Sequence, residues 1–426
     1  MLFFLIYQVI FYCIQPLIWL RLLYRSFKNS GYRKRIFERY GFCRKKVRPG
    51  GIVLHSVSVG ETLAAVPLVR ALKNRYPNLP ITITTMTPTG SERVLSAFGK
   101  EVSHVYLPYD LWGSIRRFLN STRPRIVIIM ETELWPNLIY QLHKRKIPLI
   151  IANARLSERS YRGYSRIRPL MKPLLRQTTL LCAQHQSDAE RFIDLGLRRS
   201  QITITGSIKF DISITPDLAA RAVTLRRQWA PNRPIWIAAS THQGEDEIIF
   251  EAHKSLLLQF PNLLLIVVPR HPERFSKVKQ LADNYSLSYI TRQSGMIPEE
   301  STQVIVADTM GELLLLYGVA DIAFVGGSLV EVGGHNPLEA AAHALPVIMG
   351  PHVFNFTAIC KKLSSDQALL IIHDKQELVK KITNLLNDAD YRRYFGRNAV
   401  EVIEKNHGAL EKLLESIEPY LPQRRH

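Results

Sequence analysis

The sequence is poor in cysteine. Its 426 residues contain four, Cys13, Cys43, Cys182 and Cys360. They lie far apart in no paired spacing, which argues against a disulfide framework or a cysteine-based zinc site and fits a reducing compartment. Acidic side chains are also under-represented, 36 against 56 Lys and Arg, leaving a formal net charge of +20. Such an excess attracts anions, whether nucleic acid, acidic lipid or phosphorylated substrates, without choosing among them. No tract is low in complexity and no repeat of solenoid length is present, so a repeat architecture is disfavoured.

Charge is missing altogether from the first twenty residues, MLFFLIYQVIFYCIQPLIWL. That length matches the ~20 apolar residues that cross a bilayer core. No basic segment precedes it and no small-residue cleavage site follows, so a retained anchor is expected rather than a cleaved signal peptide. Arg21, Arg25, Lys28, Arg33, Lys34, Arg35, Arg39, Arg44, Lys45, Lys46 and Arg48 come next, offset only by Glu38. The positive-inside tendency then puts the bulk of the protein on the cytoplasmic side. The alternative is a helix lying in the membrane interface.

What is present beyond residue 50 is a regular alternation. GIVLHSV, PITITTMT, RIVIIME, IPLIIANAR and QITITGSIKFD read as buried strands separated by helical patterns, and PIWIAAST, LLLIVVPRHPER, VIVADTM, ADIAFVGGS and LPVIMGP repeat the theme. Short β-branched runs alternating with helices predict parallel sheets covered on both faces. Pro216, Pro231 and Pro234 surround a linker-like segment between two halves. The expectation is an α/β protein of two doubly wound domains, with chemistry in a cleft between them.

Several strand ends carry reactive side chains. In SVSVGE, Glu61 opens a helix directly after Gly60. It reads either as a carboxylate stabilising the helix start or as a general base at a strand end, and spacing alone does not choose. In MTPTGSER, Thr87, Thr89, Gly90 and Ser91 precede a helix, followed by Arg93, which suits either an anion cradle or an ordinary N-cap. Glu131 and Glu133 leave the strand RIVIIM, and Lys209 follows the last strand of the first half. Arg270, His271 and Arg274 end a strand of the second half, where arginine suits phosphate recognition and His271 either titrates or is structural. GGSLVEVGGHNPLEAA, residues 326–341, brackets a short segment with glycines and then opens a helix at Asn336 and Pro337, with Glu339 one turn in. No G-K-[ST] follows it, and it is not a GxGxxG after a first strand, so a Walker loop and dinucleotide redox chemistry are disfavoured.

The ordered set SVSVGE, TTMTPTG, METELWPN, NARLSERS, GSIKFD, VPRHPER, DTMGEL and VGGSLVEVGGHNPLEAA resembles the 3-deoxy-D-manno-octulosonic acid (Kdo) transferases of lipopolysaccharide assembly, from about residue 1 to residue 420. The resemblance implies a GT-B-type glycosyltransferase: a membrane anchor over 1–22, an acceptor-binding Rossmann-like domain over 23–211, and a CMP-sugar donor-binding domain over 212–426 whose last helix packs back on the first. It implies CMP-Kdo as donor and the lipid A precursor, lipid IVA, as acceptor, at the inner membrane among anionic lipids. No nucleic-acid partner, no cofactor and no metal are expected. By the same resemblance Glu61 is the general base, and Glu131 and Lys209 stabilise the transition state; the helix dipole at the start of its helix is expected to lower the Glu61 pKa and keep it ionised. Pro269, Arg270, Met310, Gly311, Glu312, Asn336, Pro337, Leu338 and Glu339 bind CMP. Thr87, Thr89, Gly90, Ser91 and Arg93 are candidates for acceptor contact. The competing expectations are a nucleotide-sugar epimerase or a UDP-dependent transferase of similar fold, and a catalytically silent membrane scaffold.

Overall fold

A computed structural model describes residues 2–28, 30–43 and 46–422. The chain forms two compact units, residues 1–209 with 408–426, and residues 210–407.

The first unit is built on seven strands: β1 (Ile52–His55), β2 (Ile81–Thr85), β3 (Ser103–Tyr106), β4 (Ile126–Met130), β5 (Leu149–Ala154), β6 (Leu180–Ala183) and β7 (Ile202–Ile204). Their order is β3-β2-β1-β4-β5-β6-β7, and every pairing is parallel. β1, β2, β4, β5 and β6 are buried at every residue, as helices on both faces require. The order reverses between β1 and β4. At such a reversal the connecting chains leave in opposite directions and open a crevice outside the carboxyl ends of the strands.

The second unit repeats the plan with β8 (Ile235–Thr241), β9 (Leu264–Pro269), β10 (Tyr289–Thr291), β11 (Val304–Val306), β12 (Ile322–Val325), β13 (Val347–Met349) and β14 (Leu369–Ile371). The order is β10-β11-β9-β8-β12-β13-β14, again parallel throughout. Its reversal lies between β8 and β12.

Residues 408–426 belong to the first unit rather than ending the second. In the helix Ala409–Ile417, Leu413, Leu414 and Ile417 are buried in one cluster with Ile52, Leu54, Leu68 and Leu72. Gly206, at φ +89°, lets the chain pass this helix, because a Cβ there would lie 3.2 Å from that of Ala409.

The N-terminal segment departs from the expected single anchor helix over 1–22. It forms two helices, α1 (Leu2–Cys13) and α2 (Gln15–Lys28). Among the described residues no single helix is long and apolar enough to cross a membrane; Ile6–Cys13 and Gln15–Phe27 pass such a test only as a pair bent by 40°. The break falls at Ile14, two residues before Pro16, which has no N–H to donate back into the preceding turn and whose ring crowds the carbonyl four residues earlier. One face of the pair docks on the first unit: Phe11, Ile18 and Leu22 cluster with Tyr109 and Leu111. The Tyr7 hydroxyl donates to Asp110 Oδ2 at 2.9 Å, and the buried Asp110 also accepts from the Asn137 and Leu138 amides. The opposite face leaves Val9, Leu17, Leu20, Leu23, Tyr24 and Phe27 exposed.

Candidate active site

The first unit gathers its acids at the strand-order reversal. Beyond β1 the chain turns through Ser56–Ser58 into α3 (Val59–Arg75). Ser58 caps the helix, its Oγ accepting from the Glu61 amide at 3.1 Å. The Glu61 carboxylate closes the capping box by accepting from the Ser58 amide and hydroxyl (3.3 and 2.8 Å), and its other oxygen accepts from the Val57 amide at 2.8 Å. The helix-start reading of Glu61 is therefore realised, and it coexists with a position at the carboxyl end of β1.

The expected lowering of its pKa does not occur. Burial raises the Glu61 pKa, outweighing the hydrogen bonds from Val57 and Ser58, and the charge of Glu131 adds to the rise. Desolvation of a carboxylate here exceeds the stabilisation that the helix start provides. A raised pKa makes the group a stronger base.

Glu131 is the first residue beyond β4. Its backbone sits at φ 56°, in the left-handed region, a conformation that costs a side-chain-bearing residue ~1–3 kcal/mol and gathers at functional sites. The Glu131 amide donates to the Ala152 carbonyl at 2.9 Å, tying the turn to β5. Lys209 donates to Glu131 Oε1 at 3.0 Å from a half-buried position. That lysine lies in a short turn, Ile208–Phe210, whose Ile208 amide is held by Asn153 Oδ1 at 3.2 Å. Glu133 is pushed up to about 7 by burial and by the charges of Glu61 and Glu131. Three carboxylates and one ammonium thus share a local field, the arrangement in which one acid holds a proton while its neighbour stays ionised.

The MTPTGSER residues divide. Thr87 caps α4 (Pro88–Phe98) by accepting from the Gly90 amide at 3.1 Å. Ser91 is buried, with its hydroxyl accepting from Arg35 Nη1 at 3.0 Å and lying 3.2 Å from His104 Nδ1, so it is engaged inside the unit. Thr89 is exposed and Arg93 half-buried.

In the second unit Pro269 ends β9, and the Arg270 amide donates to the Thr241 carbonyl of β8 at 3.1 Å. Met310 is exposed and Gly311 has φ +83°. Glu312 is held by Arg292 through two hydrogen bonds, 3.1 and 2.9 Å, and by the Thr309 hydroxyl at 2.5 Å. Burial raises its pKa, but Arg292 and Thr309 outweigh burial and leave it below the ordinary range. Asn336 Oδ1 accepts from the Leu338 amide at 3.2 Å, and its Nδ2 donates to Glu339 Oε1 at 3.4 Å. Burial raises the Glu339 pKa against the opposing effects of Asn336 and Arg270, so Arg270 and the Asn336–Glu339 turn occupy one neighbourhood. The Pro337 and Leu338 positions offer backbone only in part: the Leu338 side chain is fully buried in the core beneath the helix Leu338–Ala342.

Two residues that sequence reasoning did not single out organise this region. Glu245, fully buried at the start of the helix Glu245–Leu257, accepts from the amides of His242, Gly327, Ser328 and Leu329 at 2.7–3.0 Å. It fastens the loop after β12 to the loop after β8. His242, immediately after β8, faces His335 of that glycine loop. The available signal was the Gly244–Glu245 step after a strand, a repeat of Gly60–Glu61. Among the described residues no group of three or more His, Cys, Asp or Glu side chains is placed to hold a metal ion.

Comparison with known proteins agrees with this construction. Residues 34–212 match the family model for 3-deoxy-D-manno-octulosonic-acid transferase (kdotransferase), and residues 239–402 match the model for glycosyl transferases group 1. The chain is 48% identical over 410 residues to 3-deoxy-D-manno-octulosonic acid transferase from Haemophilus influenzae, covering 96% of each chain. It is 33% identical over 422 residues to the Bordetella pertussis enzyme of the same name, covering 95% of this chain and 96% of that one. Among solved structures, UDP-GlcNAc 2-epimerase from Neisseria meningitidis, bound to UDP-GlcNAc, superposes with a TM-score of 0.56 at 12% identity, over 87% of this chain and 100% of that one. That likeness concerns the fold alone. With near-complete coverage at such identity, the chain belongs to the 3-deoxy-D-manno-octulosonic acid (Kdo) transferases and is a glycosyltransferase.

Proposed function

We propose that the protein transfers Kdo from CMP-Kdo to the lipid A precursor, lipid IVA, by a single inverting displacement that needs no metal. The observation that carries this reading is the acid cluster at the β1–β4 reversal: Glu61, desolvated and raised in pKa, beside the Glu131–Lys209 pair. A sugar hydroxyl is a poor nucleophile until its proton is removed. Glu61 takes that proton as the hydroxyl oxygen bonds to the anomeric carbon of Kdo. The bond from that carbon to the phosphate oxygen breaks, and its electron pair departs with CMP. Lys209, oriented by Glu131, supplies positive charge where negative charge is in transit. Arg270, with the backbone of residues 310–312 and 336–339, is suited to the nucleotide phosphate and ribose. Glu133, which retains a proton near neutral pH, keeps the cluster from carrying three negative charges at once.

The exposed apolar face of α1 and α2, with Arg21, Arg25 and Arg33 exposed beside it, suits a helical pair lying in the interface of an anionic membrane. This is the leaflet in which a lipid acceptor would be met, and the reading assigns the protein to the cytoplasmic face of the inner membrane. The +20 charge is consistent with a phosphorylated lipid acceptor.

The test is a transfer assay in detergent with purified protein, lipid IVA and CMP-Kdo generated in place, read by mass spectrometry of the lipid and by NMR of the new linkage. Mass gains of whole Kdo units with inverted anomeric configuration are expected. Turnover with a UDP-sugar in place of CMP-Kdo, or no gain with folded protein, would contradict the reading.

A further inference from the structure

The second unit carries, at its own strand-order reversal, a group of imidazoles that the reaction described above leaves unused. His242 stands at the carboxyl end of β8, and His335 stands on the glycine loop that follows β12. Their Nε2 atoms are 2.8 Å apart, and the rings meet end to end and nearly coplanar, with centroids 5.1 Å apart and only 7° between their planes. His271, two residues past β9, meets His242 edge-on at 5.5 Å. Gly327, at φ +66°, makes room for the pair: a Cβ there would lie 3.0 Å from the His335 ring and 3.5 Å from that of His242. The fold invests in this contact. Glu245 holds the His242 amide and the Gly327 amide on the same carboxylate oxygen, and the His335 amide donates to the Gly326 carbonyl.

A 2.8 Å contact between two ring nitrogens requires one N–H and one lone pair. The neutral pair therefore holds a single Nε2 proton between its rings. It can accept one further proton, at the Nδ1 of the donating ring, and become a monocation without breaking the contact. A second further proton would put two N–H groups face to face.

We propose that His242 and His335 form a proton-gated oxyanion site, which takes up one proton from solvent as an anionic group of the donor, its phosphate or its sugar carboxylate, docks beside Arg270. This rests on the donor reading given above. Every charged group around the pair is consistent with a site that is neutral when empty. On the cationic side stand Arg270 after β9, and Arg274, which donates to the Thr241 carbonyl at 3.0 Å. On the acidic side, Glu245 is saturated by four amides, Asp246 is paired with Arg274, and Glu339 interacts with Asn336 and Arg270. Burial, together with the nearby cations, lowers the pKa of His242 to about 4 and that of His335 to about 3. An incoming oxyanion reverses that balance, because it offsets the cations and receives charge-assisted hydrogen bonds from the protonated pair.

Isothermal titration calorimetry of the full chain, at a pH near 8 in buffers of differing ionisation enthalpy, tests this with three probes. Cytidine carries no anion, CMP carries the phosphate and free Kdo carries the carboxylate. Native protein should take up about one proton on binding CMP or Kdo, whichever supplies the docked group, and none on binding cytidine. His335→Gln and His242→Gln, each checked for native thermal unfolding, should abolish the uptake and weaken that ligand by about tenfold or more. Binding of both CMP and Kdo without proton uptake, at equal affinity in native and variant proteins, overturns the site while leaving the donor reading intact. Absence of CMP binding to native protein overturns both.

Discussion

Each unit places a Gly–Glu step after its first strand, and the two steps have opposite fates. Glu61 is half-exposed, spends its carboxylate on two neighbouring residues at a helix start, and feels the charge of Glu131. Glu245 has no exposure, and four amides from two loops converge on it. The same local signal yields an acid of raised pKa in one unit and a fastener in the other. The difference comes from what stands across the strand-order reversal. Opposite Glu61 are two further acids and a lysine; opposite Glu245 is a glycine loop whose amides need an acceptor. One sheet consequently presents carboxylates at its carboxyl edge, and the other presents arginine and histidine.

Three substitutions sharpen that contrast. Lys209→Met should have the largest effect: Glu131 loses its cation, and turnover should fall by about 10²–10³, the usual consequence of removing one electrostatic stabiliser, with little change in melting temperature. Steady-state kinetics beside thermal unfolding checks this, and parallel losses in both would make Lys209 structural. Glu245→Ala should act in the opposite way. Buried donors left unpaired cost about 1–3 kcal/mol each, so the melting temperature should drop by several degrees and CMP affinity should fall with it. Calorimetry that found native stability would remove Glu245 from its fastening role.

The smallest effect is expected from Glu133→Gln and concerns pH. In the folded protein the Glu133 carboxyl holds its proton up to about 7, well above the unfolded value. Its contribution to stability is fully present below the ordinary carboxylate range and is lost as pH rises through about 7. The amide variant does not titrate. Going from about pH 5 to about pH 8, native protein should lose more thermal stability than Glu133→Gln. Equal losses would mean that Glu133 is ionised throughout.

Much of this was legible in the residues. Runs such as RIVIIM and LLLIVVP are buried on both faces because parallel strands between two helical layers have no solvent side, and that pattern survives in one dimension. The strand-end positions of Glu61, Glu131, Lys209 and Arg270 followed from the same runs. What was not legible depended on tertiary distance. The pKa of Glu61 is decided by burial and by Glu131, seventy positions away, rather than by the helix start beside it. His242 and His335 are separated by ninety-three positions, and neither has a neighbour in sequence that announces the other. The first twenty residues read as one span because hydropathy counts side chains, whereas the break at Ile14 comes from the backbone hydrogen bond that Pro16 cannot make, and the docking comes from Tyr7 meeting Asp110.

The proposed mechanism divides the labour, with proton removal in the first unit and nucleotide recognition in the second. Measuring turnover and CMP affinity together in Glu61→Gln and Arg270→Ala tests it most directly. Glutamine keeps the capping box, so Glu61→Gln should fold normally, bind CMP with native affinity and lose about 10²–10⁴ in turnover. Arg270→Ala should lose CMP affinity first. If Glu61→Gln weakened CMP as much as Arg270→Ala does, or turned over at the native rate, the division of labour would be wrong.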